Sequence, residues 1–318
     1  MIVADNIRKD FREIKAVRNI SFEVKRGETM VLLGTSGCGK TTTLKMLNRL
    51  IEASSGKITI DGKDIFQERP EKLRRTIGYV SQNNGLFPHF TVSENIAIIP
   101  KLLHWTKSDI QTKTEALLAQ LKIPWEEYAH KYPDELSGGQ KQRVAVARAL
   151  IADAPVLLMD EPFGALDPVT RAGIRTEFTQ LPELKRKTIV LVTHDIQEAL
   201  ELGDKICLMD QGEIVQSGTA RDLLMKPVND FVKAFFESQR LYLELKSLSF
   251  NDIWELLPHA DDLSGPVLWS NETLWKGMEY LSEQKKTQLV VVDKINQIHK
   301  KVTLANLQES LNRFKYNL

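Results

Sequence analysis

The chain has 318 residues, 42% hydrophobic and 27% charged, with 43 lysines and arginines against 42 aspartates and glutamates. That length suits about two domains, the composition excludes a mainly disordered chain, and the near-zero charge gives no bulk electrostatic reason to expect nucleic acid as a partner. Two cysteines cannot form a disulfide framework, so a reducing, cytoplasmic setting is expected.

Asp5, Arg8, Lys9 and Asp10 interrupt the N-terminus too early for a secretory apolar core. No uncharged apolar run approaches the ~18 residues of a membrane span; the richest, 144–159, is broken by Arg148 and Asp153. Any membrane role is expected to come through partners.

Residues 28–33 read as a short apolar strand that opens into Gly34-Thr-Ser36-Gly37-Cys38-Gly39-Lys40-Thr41-Thr42, after which 43–51 continues with helical spacing. Alternation at 57–60 followed by Asp61-Gly62 predicts a hairpin. The region 91–131 reads as helical, with Pro100 and Pro124 as breaks. Runs 156–159 and 188–192 have the continuous apolar character of buried parallel strands, whose chemistry lies outside their carboxyl ends. Runs 206–209 and 213–216 flank Asp210-Gln-Gly212 and read as a late hairpin. A composition shift at 238–249 suggests a large domain, 1–238, and a small α/β appendage, 248–318, with a helix at 272–283, a strand at 288–293 and a last helix from Leu304.

Gly34-x4-Gly39-Lys40-Thr41 is a phosphate-loop pattern. Its glycines let successive N–H groups face phosphate oxygens, and the following helix adds its dipole. Lys40 would reach the β and γ phosphates, and Thr41 would ligate Mg²⁺. The strand before Asp160-Glu161 supplies the second half. Asp160 suits a Mg²⁺ held through water, and Glu161 is placed to polarise the attacking water. Cys38 lies near a helix N-terminus, where a thiol pKa tends to fall, and its alkylation is expected to be slowed by ATP; Cys207, in an apolar strand, reads as inert. Leu136-Ser137-Gly138-Gly139-Gln140 opens a helix of small apolar residues. Ser137 can cap that helix while the glycines leave its amides open, a second anion site. Two copies facing head to tail would explain two phosphate cradles in one chain.

These motifs resemble the ATP-binding subunits of ABC transporters across 1–238. That resemblance implies an α/β fold: a RecA-like P-loop NTPase core with antiparallel β and helical subdomains, the latter at 88–152. It implies ATP and Mg²⁺ as ligands. Phe11 sits where the family stacks an aromatic on adenine, although a lone Phe near a strand also suits a core. Gln82, after 78–81, is similar to the glutamine that senses Mg²⁺ and the attacking water. Asp167 resembles the acidic residue that crosses the dimer interface, with helix capping as the plain alternative. His194 resembles the histidine that contacts the γ phosphate. Ser137 to Gln140 would close over the nucleotide of the other copy.

A narrower likeness, through Lys45-Met-Leu-Asn48-Arg49, Leu73-Arg-Arg75, Gly85-Leu-Phe-Pro88-His89, Pro100 to Trp105 and Phe163 to Arg171, is to ATPases of quaternary-amine importers for glycine betaine, choline, carnitine or proline betaine. It implies a homodimer at the cytoplasmic face of the inner membrane, joined to integral-membrane permease subunits and indirectly to an extracytoplasmic substrate-binding protein, with no nucleic acid. Residues 82–94 would form part of the groove for a permease helix, stiffened by Pro88 and anchored by Phe87. The appendage resembles one degenerate CBS motif, with Lys300-Lys301 and Asn306 departing from the pattern; a packing or dimer-bracing role is expected over adenosine binding. The alternatives are an importer or exporter ATPase for another cargo and a non-transport ABC ATPase.

Overall fold

The computed structural model describes residues 1–164, 166–260, 265–283, 287–293 and 298–316. The chain separates into two compact units, Met1–Ser217 and Gly218–Leu318.

The first unit opens with an antiparallel pair, β1 (Ile2–Phe11) and β2 (Ile14–Val24). Then come β3 (Thr29–Gly34), α1 (Lys40–Leu47), β4 (Ser55–Ile60), β5 (Lys63–Asp64), α2 (Pro70–Arg75) and β6 (Ile77–Val80). Four helices follow: α3 (Val92–Leu102), α4 (Lys107–Gln120), α5 (Trp125–Tyr128) and α6 (Gly138–Leu150). The unit continues through β7 (Val156–Asp160), α7 (Pro168–Gln180), β8 (Thr188–Thr193), α8 (Ile196–Leu202), β9 (Lys205–Asp210) and β10 (Glu213–Gly218).

Two sheets result. One has the order β2-β1-β4-β5, the other β10-β9-β3-β8-β7-β6. In the second, β6, β7, β8, β3 and β9 are mutually parallel. β7 and β8 are buried along their whole length, as their unbroken apolar runs predict. Each buried Val, Leu or Ile contributes about 1.5–3 kcal/mol. The expected hairpins form where left-handed residues reverse the chain, at Asp61-Gly62 and Gln211-Gly212.

Pro100 corrects one expectation. It does not break the 91–131 region; it lies in the last turn of α3. A proline there deprives one carbonyl of its donor, and the helix ends two residues later. Pro124 does precede a new helix, as the N-cap of α5.

The second unit holds α9 (Ala220–Met225), α10 (Asp230–Phe236), α11 (Arg240–Ser247), β11 (Val267–Trp269), α12 (Leu274–Glu283), β12 (Leu289–Val292), β13 (His299–Val302) and α13 (Leu304–Tyr316). β12 lies between β11, to which it is parallel, and β13, to which it is antiparallel. The unit begins upstream of the 238–249 composition shift. Leu245 and Leu248 belong to its apolar core, with Met225 packed on that core, so α9 and α11 are built into it.

Candidate active site

β3 delivers the chain into the glycine loop. Gly34, Gly37 and Gly39 take φ of +151°, +80° and +102°. A Cβ on Gly34 would collide with the carbonyl oxygen of Met209, and one on Gly39 with that of Ala16. Glycine is therefore required for the loop to lie this close to β9 and β2. Gly39 is the N-cap of α1 and offers no side-chain cap, which leaves first-turn amides for an anion. Ser36 and Gly37 are exposed at the crest, and Thr41 and Thr42 are half-buried.

Lys40 is buried, and its ammonium donates to the carbonyls of Gly34 (2.9 Å) and Thr35 (2.7 Å). Those bonds hold a positive charge across the mouth of the loop. Cys38 departs from expectation. It is 3% exposed, and burial pushes its thiol up, more than neighbouring Lys40 pulls it down. Desolvation of a thiolate outweighs the helix terminus here.

The ends of β6, β7 and β8 bring the acidic and polar residues together. Thr41 donates its hydroxyl to Asp160 Oδ1 at 2.7 Å. Asp160 is 2% exposed, and burial raises its pKa against the opposing hydrogen bond from Thr41. A hydroxyl beside a carboxylate is a hard-oxygen pair suited to Mg²⁺, which is held by few protein groups together with substrate phosphates. Glu161 takes φ of +44° while its N–H donates to Val192 O at 2.9 Å. That left-handed step lets neighbouring carboxylates serve different partners. Gln82 Nε2 donates to Glu161 Oε2 at 3.1 Å, and His194 Nδ1 lies 3.3 Å from Oε1.

The second anion cradle is built separately. Ser137 caps α6 by accepting from Gln140 N at 3.3 Å, and Gln140 Oε1 accepts from Ser137 N at 2.8 Å. Ser137 and Gly138 are exposed. Gly139 faces α7, where an added Cβ would come 3.1 Å from Ile174 and Thr170. Asp167 caps α7, accepting from Thr170 N at 3.0 Å. Among the described residues, no hydrogen bond of Ser137 or Gln140 reaches the glycine loop. Phe11, at the end of β1, is half-exposed, with the Lys9 ammonium 4.9 Å from its ring centroid.

Three residues have supporting roles that the sequence reading did not assign. Tyr128 OH accepts from Gln140 Nε2 at 2.9 Å. Arg171 bridges Leu166 O (2.9 Å) and Asp195 (3.3 Å), so it ties the segment beside Asp167 to the one beside His194. Arg148 reaches the loop after Gln82. An arginine interrupting the apolar run 144–159 was its only sequence signal.

A glycine loop at the end of a central parallel strand, with an Asp-Glu pair at the same end of β7, separated from β3 by β8, defines a P-loop nucleotide-binding cassette. Residues 17–164 match the family described as ABC transporter. The chain is 43% identical over 294 residues to the choline transport ATP-binding protein OpuBA of Bacillus subtilis, covering 92% of this chain and 76% of that one. It is 49% identical over 274 residues to the glycine betaine uptake system ATP-binding protein YehX of Escherichia coli, covering 86% and 88%. Against the dimeric structure of MJ0796, a bacterial ABC transporter cassette, the TM-score is 0.63 at 32% identity, over 69% of this chain and 98% of that one. A post-hydrolysis MJ0796 dimer bound to ADP and Pi matches with a TM-score of 0.62 at 31% identity, over 69% and 98%. The chain belongs to the ATP-binding subunits of ABC transporters.

Proposed function

We propose that this chain is the ATP-hydrolysing motor of an importer for quaternary amines such as glycine betaine, choline or carnitine. It works as a homodimer on integral-membrane permease subunits at the cytoplasmic face of the inner membrane, with cargo delivered by an extracytoplasmic binding protein. The observation that carries the hydrolytic reading is the Glu161 carboxylate, held between Gln82 and His194 beside the Thr41–Asp160 pair. The cargo reading is supported by relatives named for choline, glycine betaine and osmoprotectant transport.

In this mechanism the amides of the 34–42 loop and the Lys40 ammonium bind the β and γ phosphates, with Phe11 against the adenine. Thr41, Asp160 and Gln82 would hold Mg²⁺, which supplies charge neutralisation at the phosphates when bound. Glu161 accepts the proton of the attacking water at its carboxylate. Gln82 and His194 orient that carboxylate, and His194 also serves the γ phosphate. Ser137, Gly138, Gly139 and Gln140 close over the nucleotide held by the second copy, with Asp167 at the interface. Closure of two chains on ATP then moves the permease, because nucleotide binds the closed dimer better than the open one.

A groove of about 370 Å³ in the first unit supports permease docking. Ile77, Tyr79, Phe87, Ile98 and Ile99 give it apolar walls, and Phe87 is 51% exposed. Among the described residues no helix is long and apolar enough to cross a membrane.

The second unit we assign a dimer-bracing role. Its β11-α12-β12-β13-α13 succession has the element order of one CBS-like motif. Asn306 Oδ1 already accepts from the Thr303 hydroxyl at 2.7 Å, which favours packing over nucleoside recognition.

The test is affinity purification of the tagged chain from membranes. Recovery of a permease and a quaternary-amine-binding protein is expected. Recovery of ribosomes or DNA instead would overturn the transport reading.

A further inference from the structure

α6 carries the Ser137 cap at one end, and near its other end Arg148 grips a loop of different origin. Its guanidinium donates from Nη1 to Gly85 O at 2.7 Å and from Nη2 to Asn84 O at 2.8 Å. It also lies 6.0 Å from the centroid of Phe87. Asn84 and Gly85 are consecutive left-handed residues, at φ of +59° and +58°. A Cβ on Gly85 would sit 2.5 Å from Ser81 Oγ and 3.4 Å from Arg148 Nη2. Asn and Gly both accept left-handed backbone, and two charge-assisted bonds from one rigid planar donor hold the carbonyls of this turn in place.

The far side of the same loop is held by Asn95 of α3, which is fully buried. Its Oδ1 accepts from Phe87 N at 2.8 Å, and its Nδ2 donates to the carbonyls of Phe87 (3.1 Å), Phe90 (2.9 Å) and Thr91 (3.0 Å). Residues 84–91 are thus slung between α6 and α3, with Phe87 presented to the groove that Arg148 also lines.

We infer that Arg148 is a positioning residue through which α6 commands the groove loop at 84–91. The inference rests on the proposed motor reading. When the α6 N-terminus engages nucleotide on the second copy, the helix moves as a rod of about 20 Å. Arg148 then carries the Asn84–Gly85 turn and Phe87 with it. A competing route exists in the same chain: Gln82 bonds Glu161 directly and could pull the loop through the backbone. The two routes differ in what they require. Only the first needs the guanidinium.

The experiment is amide hydrogen exchange on the full chain carrying Glu161→Gln, with and without Mg-ATP, read separately at 137–143 and at 83–91. In the parent, ATP is expected to slow exchange at 137–143 and to alter it at 83–91. Adding Arg148→Met should raise exchange at 83–91 roughly tenfold without ATP, as two charge-assisted bonds are lost, and should abolish the ATP response there while 137–143 stays protected. Arg148→Lys, which keeps the charge and one bond, should give an intermediate response; it also serves if the Met variant does not fold. An ATP response at 83–91 that survives both substitutions assigns the signal to Gln82 and overturns the inference, even if both variants melt earlier. Absence of ATP protection at 137–143 in the parent would instead sink the motor reading itself.

Discussion

His194 Nδ1 stands 3.3 Å from Glu161 Oε1, so the imidazole addresses one oxygen of a carboxylate whose other oxygen accepts from Gln82. The pair joins the ends of β7 and β8, neighbouring buried strands in parallel register. A base held from both sides loses little entropy in reaching a reactive pose. Replacing Glu161 by Gln keeps the volume and a hydrogen-bonding end group but removes the proton acceptor. ATP binding should persist while steady-state turnover drops by roughly 10²–10⁴-fold, the usual contribution of general-base catalysis. Phosphate release by the purified variant measures this, and turnover near wild type would reject Glu161 as the base.

Asp160 makes a prediction about pH. Burial raises its folded-state pKa, so between the unfolded and folded values the native state binds more protons than the unfolded chain. Stability therefore falls as pH rises through that window, and the full cost is present above the folded-state value. Asp160→Asn should raise the melting temperature of the metal-free protein at pH 7 and flatten its decline from pH 4 upward. The same variant should lose Mg²⁺-dependent hydrolysis. Thermal melts across pH decide the matter: a lower melting temperature at pH 7 would contradict the assignment.

Gly34 has no room for a side chain. Its φ of +151° is accompanied by backbone of β9 and by Cys38 Sγ, 2.9 Å from an added Cβ. Neither Met209 O nor the loop can withdraw without disturbing the central sheet. Gly34→Ala should cost about 3 kcal/mol, combining backbone strain and overpacking, seen as a lower urea midpoint. An unchanged midpoint would show that the loop has slack.

Much of this site is legible in the sequence because short motifs encode local backbone demands. Gly34, Gly37 and Gly39 take positive φ, and the apolar runs before Asp160 and His194 are β7 and β8. What stayed hidden depends on tertiary surroundings. β1 and β2 were not read as strands, since register shifts beside Ala4 and left-handed Asn6 and Asn19 break the alternation. β13, His-Lys-Lys-Val, looks like a solvated turn, yet Lys300 is buried and donates to Leu257 O at 2.9 Å. Arg148 and Arg171 find their carbonyl partners 63 and 5 residues away, and no spacing rule in one sequence reports such contacts.

Cys38 is where a local rule lost to burial. A helix N-terminus favours thiolate, but a 3%-exposed thiol whose pKa is raised stays neutral at pH 7. Iodoacetamide should modify Cys38 slowly at pH 7, faster as pH rises past 9, and more slowly again with ATP bound. Peptide mass spectrometry reads each rate. Rapid labelling at pH 7 would mean that the loop opens far more often than its packing implies.

The last prediction concerns concentration. Ser137 and Gly138 are exposed at the α6 N-terminus, and the described hydrogen bonds of Ser137 and Gln140 stay within that cap and Tyr128. If these amides complete a site on a second copy, each catalytic pocket exists only in the dimer. Below the dimer dissociation constant the paired fraction is proportional to total chain, by mass action. Hydrolysis per chain should then fall roughly tenfold for each tenfold dilution in that range. Ser137→Ala removes a cap worth about 1 kcal/mol and one donor from the interface, so it should shift the dilution curve to higher concentration with only a small loss in melting temperature. Activity per chain that stays flat into a regime shown by light scattering to be monomeric would mean that one copy holds the whole machine.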